Sequence, residues 1–228
     1  MLNEIKLSVH DKFKFGCTQC GACCQNRNDI LLNTFDLYRM ADKFKMSIPD
    51  ILNKYMSVYI GDTSKIPIVS LNMRQDNGKC PFLNEKNQCG IHDISPTVCY
   101  LYPLGRHATS SDGKHVDSFN YFIQPVPCGN RNEIHTVESW IRHDLEQNHE
   151  EFLAWQNMFL QISDIARYLS EQLPDKILAK FNYAMISAMY LNYEGASTDA
   201  QRVERMKKNT QEFVQMFGNL VEQLKKLP

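Results

Sequence analysis

Apolar residues in the second half of the chain recur at helical spacing. They lie three or four positions apart, which is the pattern of one face of an amphipathic helix. Thr136 opens one predicted helix, Pro174 interrupts the next, Gly195 closes it, and Thr198 begins a last helix that ends at about Lys225. The predicted inward-facing residues are Phe152, Trp155, Phe159, Ile162, Ile165, Leu169, Ile177, Phe181, Ala184, Met185, Ala188, Met189, Val203, Met206, Phe213, Phe217, Leu220 and Leu224.

The first half of the chain has shorter and less regular elements. Thr34 is a suitable N-cap for a first helix, and Pro49 fits the first turn of a second helix that ends at about Val58. Residues 66–72 and 115–123 are largely apolar runs bounded by turn residues, which predicts two strands. Elements this short bury little core, so metal crosslinks would help to stabilise this half.

These patterns predict an α+β fold that is predominantly helical. Residues 1–135 are expected to form a small cysteine-rich, metal-stapled module with short strands, and residues 136–228 a helical C-terminal module. The Met and aromatic residues of the C-terminal helices are expected to be core. The long last helix also offers a surface through which two copies could form a dimer.

Composition and charge exclude several classes of partner. The 228 residues are 43% hydrophobic, which is enough for a buried core, and 25 basic against 26 acidic residues give a net charge of −1. This balance provides no electrostatic attraction to nucleic acid or to an anionic membrane. There is no run of 18 apolar residues and no apolar signal peptide, so we expect a cytoplasmic protein without membrane contact.

Cysteine carries the chemical signal in this sequence. Disulfide frameworks belong to secreted chains, whereas clustered thiols in a reducing cytosol are more often metal ligands. An alternative is that the cysteines are free and pack as small hydrophobic residues. Their clustering favours ligands of an iron–sulfur cluster, of zinc, or of both. The eight predicted metal ligands are Cys17, Cys20, Cys23, Cys24, Cys80, Cys89, Cys99 and Cys128.

The spacing of the first four cysteines predicts how the ligands divide. Neighbouring side chains point about 100° apart in a helix and to opposite faces in a strand, so Cys23 and Cys24 are expected to point apart. In a helical loop Cys17, Cys20 and Cys24 would form one set, with Cys23 in another. All-cysteine ligation, adjacent thiols and a Cys-x₃-Pro ending favour a 4Fe–4S cluster over zinc. The ligands that complete both sets are Cys80, Cys89, Cys99 and Cys128.

Other polar residues are further candidates. The segment that begins at His149 resembles the start of the H-E-x-x-H motif, but Leu153 stands where the second histidine would be, so a zinc-protease site is excluded. His92 could be a metal ligand, a donor to one, or a packing residue. Asp36 and Arg39 lie three positions apart on the first helix and form either a surface ion pair or a support for the metal site.

The cysteine pattern resembles a known family. The resemblance consists of three successive patterns, which are FxCxxCGxCC, a helix of LxTxxDLxRMA type, and CPFLxxxxxCxIxDxxPxxCxxxP. In these patterns the chain resembles the YkgJ-like proteins, a CxxCxxCC cysteine-cluster family described as zinc- or iron-chelating. The resemblance covers about residues 15–145 and implies that the matched cysteines bind zinc or iron. The matching residues are Phe15, Cys17, Cys20, Gly21, Cys23, Cys24, Thr34, Asp36, Arg39, Cys80, Pro81, Phe82, Leu83, Cys89, Ile91, Asp93, Pro96, Cys99 and Pro103.

Departures from the family pattern leave the activity open. Family members commonly carry arginines around the third distal cysteine, where this chain has Ser95 and Tyr100, so an arginine donor to a cluster sulfur is missing. The related flagellin lysine N-methylases imply methyl transfer by analogy, although no G-x-G-x-x-G loop supports a site for S-adenosylmethionine. Two classes remain. One is a redox or methyl-transferring enzyme with a protein or peptide substrate, and the other is a zinc-stabilised, non-enzymatic binding or adaptor protein.

Overall fold

The computed structural model describes residues 6–18, 20–126, 128–141 and 149–226. It is 48% helical and 20% strand, with the strands in the first part of the chain and the long helices after residue 149, which confirms the predicted α+β, predominantly helical fold. Within these ranges no helix combines the length and the apolar character needed to cross a membrane.

The strands form small antiparallel sheets. They are β1 Lys6–Leu7, β2 Lys12–Gly16, β3 Leu31–Leu32, β4 Met56–Ile60, β5 Pro67–Leu71, β6 Leu104–Thr109, β7 Ser118–Ile123 and β8 Asn130–Thr136. The sheet orders are β1-β7-β6, β2-β8 and β3-β5-β4. Because β2 pairs with β8, the residues that precede Cys17 lie beside the residues that follow Cys128.

The helices include three long ones in the second half of the chain. They are α1 Thr34–Phe44, α2 Ile48–Tyr55, α3 Thr97–Leu101, α4 over residues 137–141, α5 His149–Gln172, α6 Asp175–Ile186 and α7 Asp199–Leu224. Short 3₁₀ turns lie at Ala22–Cys24 and His92–Ile94. A π-helical turn at Ser187–Leu191 continues α6.

The helix starts follow capping chemistry, with one correction. α1 begins where predicted, but its N-cap is Asn33, whose side chain accepts the Asp36 N–H at 2.9 Å. Thr34, the predicted cap, is buried, and its hydroxyl donates to the Met189 carbonyl of the π-helical turn. The expectation for Thr34 is wrong because the amide of Asn33 occupies the capping position first. Thr198 is the N-cap of α7, and this helix begins and ends within one residue of its predicted bounds.

Two other predicted elements have shifted ends. The second helix ends at Tyr55 rather than near Val58, because the chain continues directly as strand β4. The predicted strand over 115–123 begins only at Ser118. The helix predicted from Thr136 is present over 137–141, and its remaining part lies outside the described residues.

The core consists of two hydrophobic clusters. The large cluster combines buried residues from 30–91 with others from 154–221, and Cys80 belongs to it. The small cluster consists of Phe13, Phe15, Leu101, Leu104, Tyr121, Val137 and Ile141. The division into modules at residue 135 stays a prediction, and the large cluster draws residues from both sides of it.

A charge network joins α1 to the C-terminal helices. Arg39 pairs with Glu151 of α5 at 2.5 Å and with Asp199 of α7 at 2.8 Å. Arg202, which is 4% exposed, pairs with Asp199 at 2.7 Å and with Asp42 of α1 at 2.9 Å. The Arg202 and Glu151 side chains are only 5% and 9% exposed, so removing their partners would leave a buried charge uncompensated.

Candidate metal centre

The first cysteine loop turns sharply at a glycine. Gly21 has a φ of 72°, the left-handed conformation that glycine adopts without strain, and it starts the 3₁₀ turn Ala22–Cys24. The Cys24 N–H donates to the Gly21 carbonyl at 3.0 Å. Both cysteines of the turn are partly buried, whereas Cys17 and Cys20 are exposed.

Backbone hydrogen bonds bring the second cysteine loop against the first. The Cys80 N–H donates to the Cys24 carbonyl at 2.8 Å. Beyond Cys80 the chain turns tightly, with the Leu83 N–H donating to the Cys80 carbonyl at 3.1 Å, and Leu83 then lies opposite Cys89 in an antiparallel bridge. Main-chain contacts therefore bring together the segments that contain Cys24, Cys80 and Cys89, although Cys80 and Cys89 lie 56 and 65 positions after Cys24.

The backbone N–H two residues further along the chain lowers the pKa of three of the cysteines. The donors are Ala22 for Cys20, Phe82 for Cys80 and Ile91 for Cys89. For Cys20 this bond is the largest effect and lowers its pKa. Such donors stabilise the negative charge of a thiolate, which is the form that binds a metal.

Cys99 lies on α3, whose start is capped from a different helix. Pro96 stands at the N-cap of α3 and offers no side-chain hydrogen bond. The carboxylate of Asp36 on α1 instead accepts both the N–H and the hydroxyl of Thr97, each at 3.1 Å. Asp36 is 1% exposed and also accepts the Asn33 N–H at 3.2 Å. One buried carboxylate therefore completes the capping box of α1 and caps α3, the helix that carries Cys99.

Cys128 contacts residues from two other segments. Its sulfur lies 3.3 Å from the phenol oxygen of Tyr102, which follows α3. The thiols of Cys128 and Cys20 also affect each other, since Cys128 lowers the pKa of Cys20 and Cys20 raises the pKa of Cys128. Cys20 and Cys128 therefore form a group beside the cysteines of the 3₁₀ turn.

The sulfurs of Cys23 and Cys24 lie 3.7 Å apart. The prediction that these two side chains point apart is therefore wrong. It assumed the geometry of a helix or a strand, but the residues occupy a 3₁₀ turn that follows a left-handed glycine, and there the two sulfurs can approach each other. Whether they belong to separate ligand sets stays a prediction.

Comparison with known families covers the whole cysteine region. The family model CxxCxxCC, "Putative zinc- or iron-chelating domain", matches residues 16–129, which are 114 of the 228 residues and contain all eight cysteines. The chain belongs to the CxxCxxCC family. This confirms the resemblance found in the sequence and supports metal binding as the general function. No curated protein and no solved structure gives a significant match.

The thiols of the CxxCxxCC domain influence one another electrostatically. The hydrogen bond with Cys24 lowers the pKa of Cys23 to about 6, and the same contact raises the pKa of Cys24. Burial raises the pKa of Cys80, Cys89 and Cys99, and the Cys23 charge raises each of them further. These thiols can all ionise together only if a cation compensates their charge, and a bound zinc or iron ion would do so.

The donor set of this CxxCxxCC domain fits zinc and iron, both of which bind thiolates. All eight cysteines carry free thiols. Among the described residues, no three Cys, His, Asp or Glu side chains already surround one point at metal-binding distance. Completing a coordination sphere would therefore require rotation of cysteine side chains around the close Cys23–Cys24 pair.

The other candidate residues have different outcomes. His92 is exposed, and its neighbour Asp93 pairs with Lys43 at 2.5 Å on the surface. The surface ion pair between Asp36 and Arg39 is wrong as an interpretation, because Asp36 is buried against α3 and Arg39 pairs with the C-terminal helices. The position of Asp36 beneath the Cys99 helix instead agrees with the support role.

Sequence reasoning missed two residues near the thiols, Tyr102 and Thr97. Tyr102 is three positions after Cys99, and Thr97 is two before it. Neither residue type is a typical metal ligand. Their contacts depend on where Cys128 and Asp36 arrive in the fold, so the sequence contained no signal for them.

Proposed function

We propose that this protein binds a metal through thiolates and that Cys23 and Cys24 share one metal atom. The observation that carries the proposal is the 3.7 Å between their sulfurs. Two thiolates at about 2.3 Å from a tetrahedral metal atom lie about 3.8 Å apart. The pair therefore needs almost no movement to bind one atom. The other ligands of this centre come from among Cys80, Cys89 and Cys99, whose pKa values the charge of Cys23 raises.

The distance also bears on the kind of centre. In a 4Fe–4S cluster with four cysteine ligands each iron takes one thiolate, whereas zinc takes up to four and each iron of a 2Fe–2S cluster takes two. A shared metal atom therefore favours zinc or a 2Fe–2S cluster over the 4Fe–4S cluster that the sequence favoured. The support is the Cys23–Cys24 geometry alone.

Cys17, Cys20 and Cys128 would supply a second site. Cys20 and Cys128 already interact, and Cys17 lies on the same exposed loop as Cys20. Three thiolates leave one position of a tetrahedral metal atom open, as in catalytic zinc sites. A redox or protein-modifying activity on a protein or peptide substrate would belong on this exposed side. Lysine methylation rests on the family analogy and stays a prediction.

Metal and acid-labile sulfide analysis of the full chain, purified without oxygen, tests the proposal. We expect about two metal atoms per chain for zinc at both sites, and about three if the first centre is a 2Fe–2S cluster. Zinc without sulfide would identify mononuclear sites, and iron with an equal amount of sulfide would identify a cluster. The double variant Cys23→Ser/Cys24→Ser is the matched control and should lose metal. A wild-type chain that contains no metal and does not take up zinc or ferrous iron would overturn the proposal.

A further inference from the structure

We infer that Tyr102 is a positioning residue that donates a hydrogen bond to the Cys128 sulfur in the metal-bound protein. The phenol oxygen lies 3.3 Å from that sulfur, which is within hydrogen-bond distance for sulfur. The inference rests on the proposed function, because it assigns Cys128 to the metal ligands. It goes further by giving a residue outside the cysteine set a defined role toward one of them.

The chemistry of the two groups fixes the direction of the hydrogen bond. A cysteine that binds a metal is a thiolate and has no proton to donate. The phenol of tyrosine keeps its proton at neutral pH. Tyr102 is therefore the donor, and the Cys128 sulfur the acceptor, whenever Cys128 binds a metal.

The Tyr102 ring is held in place from two sides. The edge of Phe15 packs against it, with the ring centroids 6.1 Å apart and the planes at 80°. The guanidinium of Arg27 lies 5.7 Å from the ring centroid, and Asp29 holds that guanidinium with contacts of 2.5 and 2.7 Å. The phenol oxygen is thus directed by packing and does not depend on the sulfur contact for its position.

The chain on either side of the contact is also fixed. The Tyr100 hydroxyl donates a hydrogen bond to the Trp140 carbonyl at 3.2 Å. The Trp140 ring N–H donates one to the Leu101 carbonyl, also at 3.2 Å. Next to Cys128, Gly129 has a φ of 76°, and a Cβ there would come within 2.4 Å of the Phe15 ring. Tyr102 and the backbone after Cys128 therefore both pack on Phe15.

The hydrogen bond has an electronic consequence for the metal. An O–H donor draws electron density from the sulfur and lowers the energy of its lone pairs, so the sulfur donates less charge to the metal. Removal of the donor makes the thiolate easier to oxidise, which shifts a sulfur-to-metal charge-transfer band to longer wavelength. The donor also fixes the orientation of the sulfur, and the loss of a residue that orients a metal ligand typically lowers metal affinity by about 10–100-fold.

Cobalt(II) provides the probe, because it replaces zinc in thiolate sites and has visible charge-transfer bands. The full chain is stripped of metal and titrated with cobalt(II) for wild type, Tyr102→Phe and the matched control Tyr100→Phe. The control also removes a tyrosine hydroxyl and its hydrogen bond, but the acceptor of that bond is the Trp140 carbonyl and not a cysteine sulfur. We expect a shift to longer wavelength and an affinity about 10-fold weaker or more for Tyr102→Phe, and a wild-type spectrum for Tyr100→Phe.

Two further variants separate the sulfur contact from a loss of folding. In a Cys128→Ser background, Tyr102→Phe should cause no additional spectral change. Incorporation of 3-fluorotyrosine at position 102, which keeps the ring and makes the O–H a stronger donor, should shift the band to shorter wavelength. An unchanged or blue-shifted Tyr102→Phe spectrum, or no effect of the fluorinated residue, would overturn the inference. Absence of any thiolate band in the wild-type protein would overturn the proposed function itself, and this inference with it.

Discussion

Cys23 and Cys24 lie where the two cysteine loops meet. The carbonyl of Cys24 accepts the Cys80 N–H, and the negative charge of Cys23 raises the pKa of the thiols on the second loop. A change at either residue should therefore affect the same ligand set.

We expect Cys23→Ser and Cys24→Ser to lose the same metal atom. Each variant removes one ligand of a shared atom, so their metal content and residual spectra should agree, and the double variant should lose no more than either single one. Cys17→Ser is the control, because Cys17 is exposed and lies on the other cysteine group. Metal analysis and cobalt(II) spectra measure this. Different residual spectra for the two single variants would instead place the two cysteines in separate sets.

Glu151 should make the stability of the protein depend on pH. Burial raises the pKa of Glu151 to about 7, although its pairing with Arg39 opposes the shift. A carboxyl whose pKa is higher in the folded state stabilises the fold most below its unfolded pKa, and this contribution falls as the pH rises to about 7. The shift corresponds to at most about 3 kcal/mol in the free energy of unfolding.

Denaturant unfolding between pH 5 and pH 8, at constant metal content, tests this expectation. Glu151→Gln, which is neutral throughout, should show a flatter dependence on pH than the wild type. The neighbouring Glu150→Gln is the matched control, because the Glu150 side chain is 80% exposed. Equal slopes for the wild type and Glu151→Gln would contradict the prediction.

At the scale of elements, α1 connects the cysteine loops to the C-terminal helices. One side of it carries Asp36, which caps the Cys99 helix, and the next turn carries Arg39, which pairs with α5 and α7. The helix thus joins a metal-binding segment to the charge network across the molecule.

Asp36→Ala should weaken both the fold and metal binding. The variant leaves the start of α3 without its acceptor and removes half of the capping box of α1, and the loss of a cap costs about 0.5–2 kcal/mol in the free energy of unfolding. Because α3 carries Cys99, its loosening should also lower metal affinity. Ser47→Ala, which removes the cap of α2, is the control and should lower stability alone. Equal metal affinity of Asp36→Ala and Ser47→Ala would show that the cap does not position Cys99.

The elements differ in how far the sequence could predict them. α1 and α7 have strong caps and a clear helical period, so their positions were predictable. In β2, Phe13 and Phe15 alternate with lysines, which is the two-residue period of a half-buried strand. The partner β8 has a polar sequence with an exposed Ile134, and only its pairing with β2 makes it a strand.

The candidate site, like the strands, could be predicted only in part from the sequence. The eight cysteines and their family pattern were visible in the sequence, and the CxxCxxCC match covers them. The contact between Cys23 and Cys24 was not visible in the sequence, because it depends on the turn that Gly21 begins. Contacts between distant segments, such as Cys128 with Tyr102, follow from the fold as a whole and have no local signature.

At the scale of the whole molecule, the cysteines lie between the two hydrophobic clusters. Cys24, Cys80, Cys89 and Cys99 belong to the large cluster or pack against it. Cys128 contacts Tyr102, which packs against the small cluster. A metal bound at Cys23 and Cys24 would therefore stabilise the edge of the large cluster, and a second metal bound at Cys20 and Cys128 the edge of the small cluster.

Removal of metal should loosen the region between the clusters first. We expect hydrogen exchange, measured by mass spectrometry before and after chelation, to accelerate in residues 20–27, 78–102 and 128–136. Residues 34–55 should stay protected together with 154–169, because both ranges contribute to the large cluster. Equal acceleration throughout residues 6–135, with the later helices unaffected, would favour the module boundary that the sequence predicted.

The π-helical turn at Ser187–Leu191 limits where the chain can change in length. Such a turn holds one residue more than an α-helical turn. Its Met189 carbonyl accepts hydrogen bonds from the hydroxyls of Thr34 and Tyr193. Deletion of one residue would turn this segment into a regular α-helical turn and move the Met189 carbonyl away from these partners. The loop around Gly113, which has open space beside it, is instead the place where a related chain could be longer or shorter and where a label could be inserted.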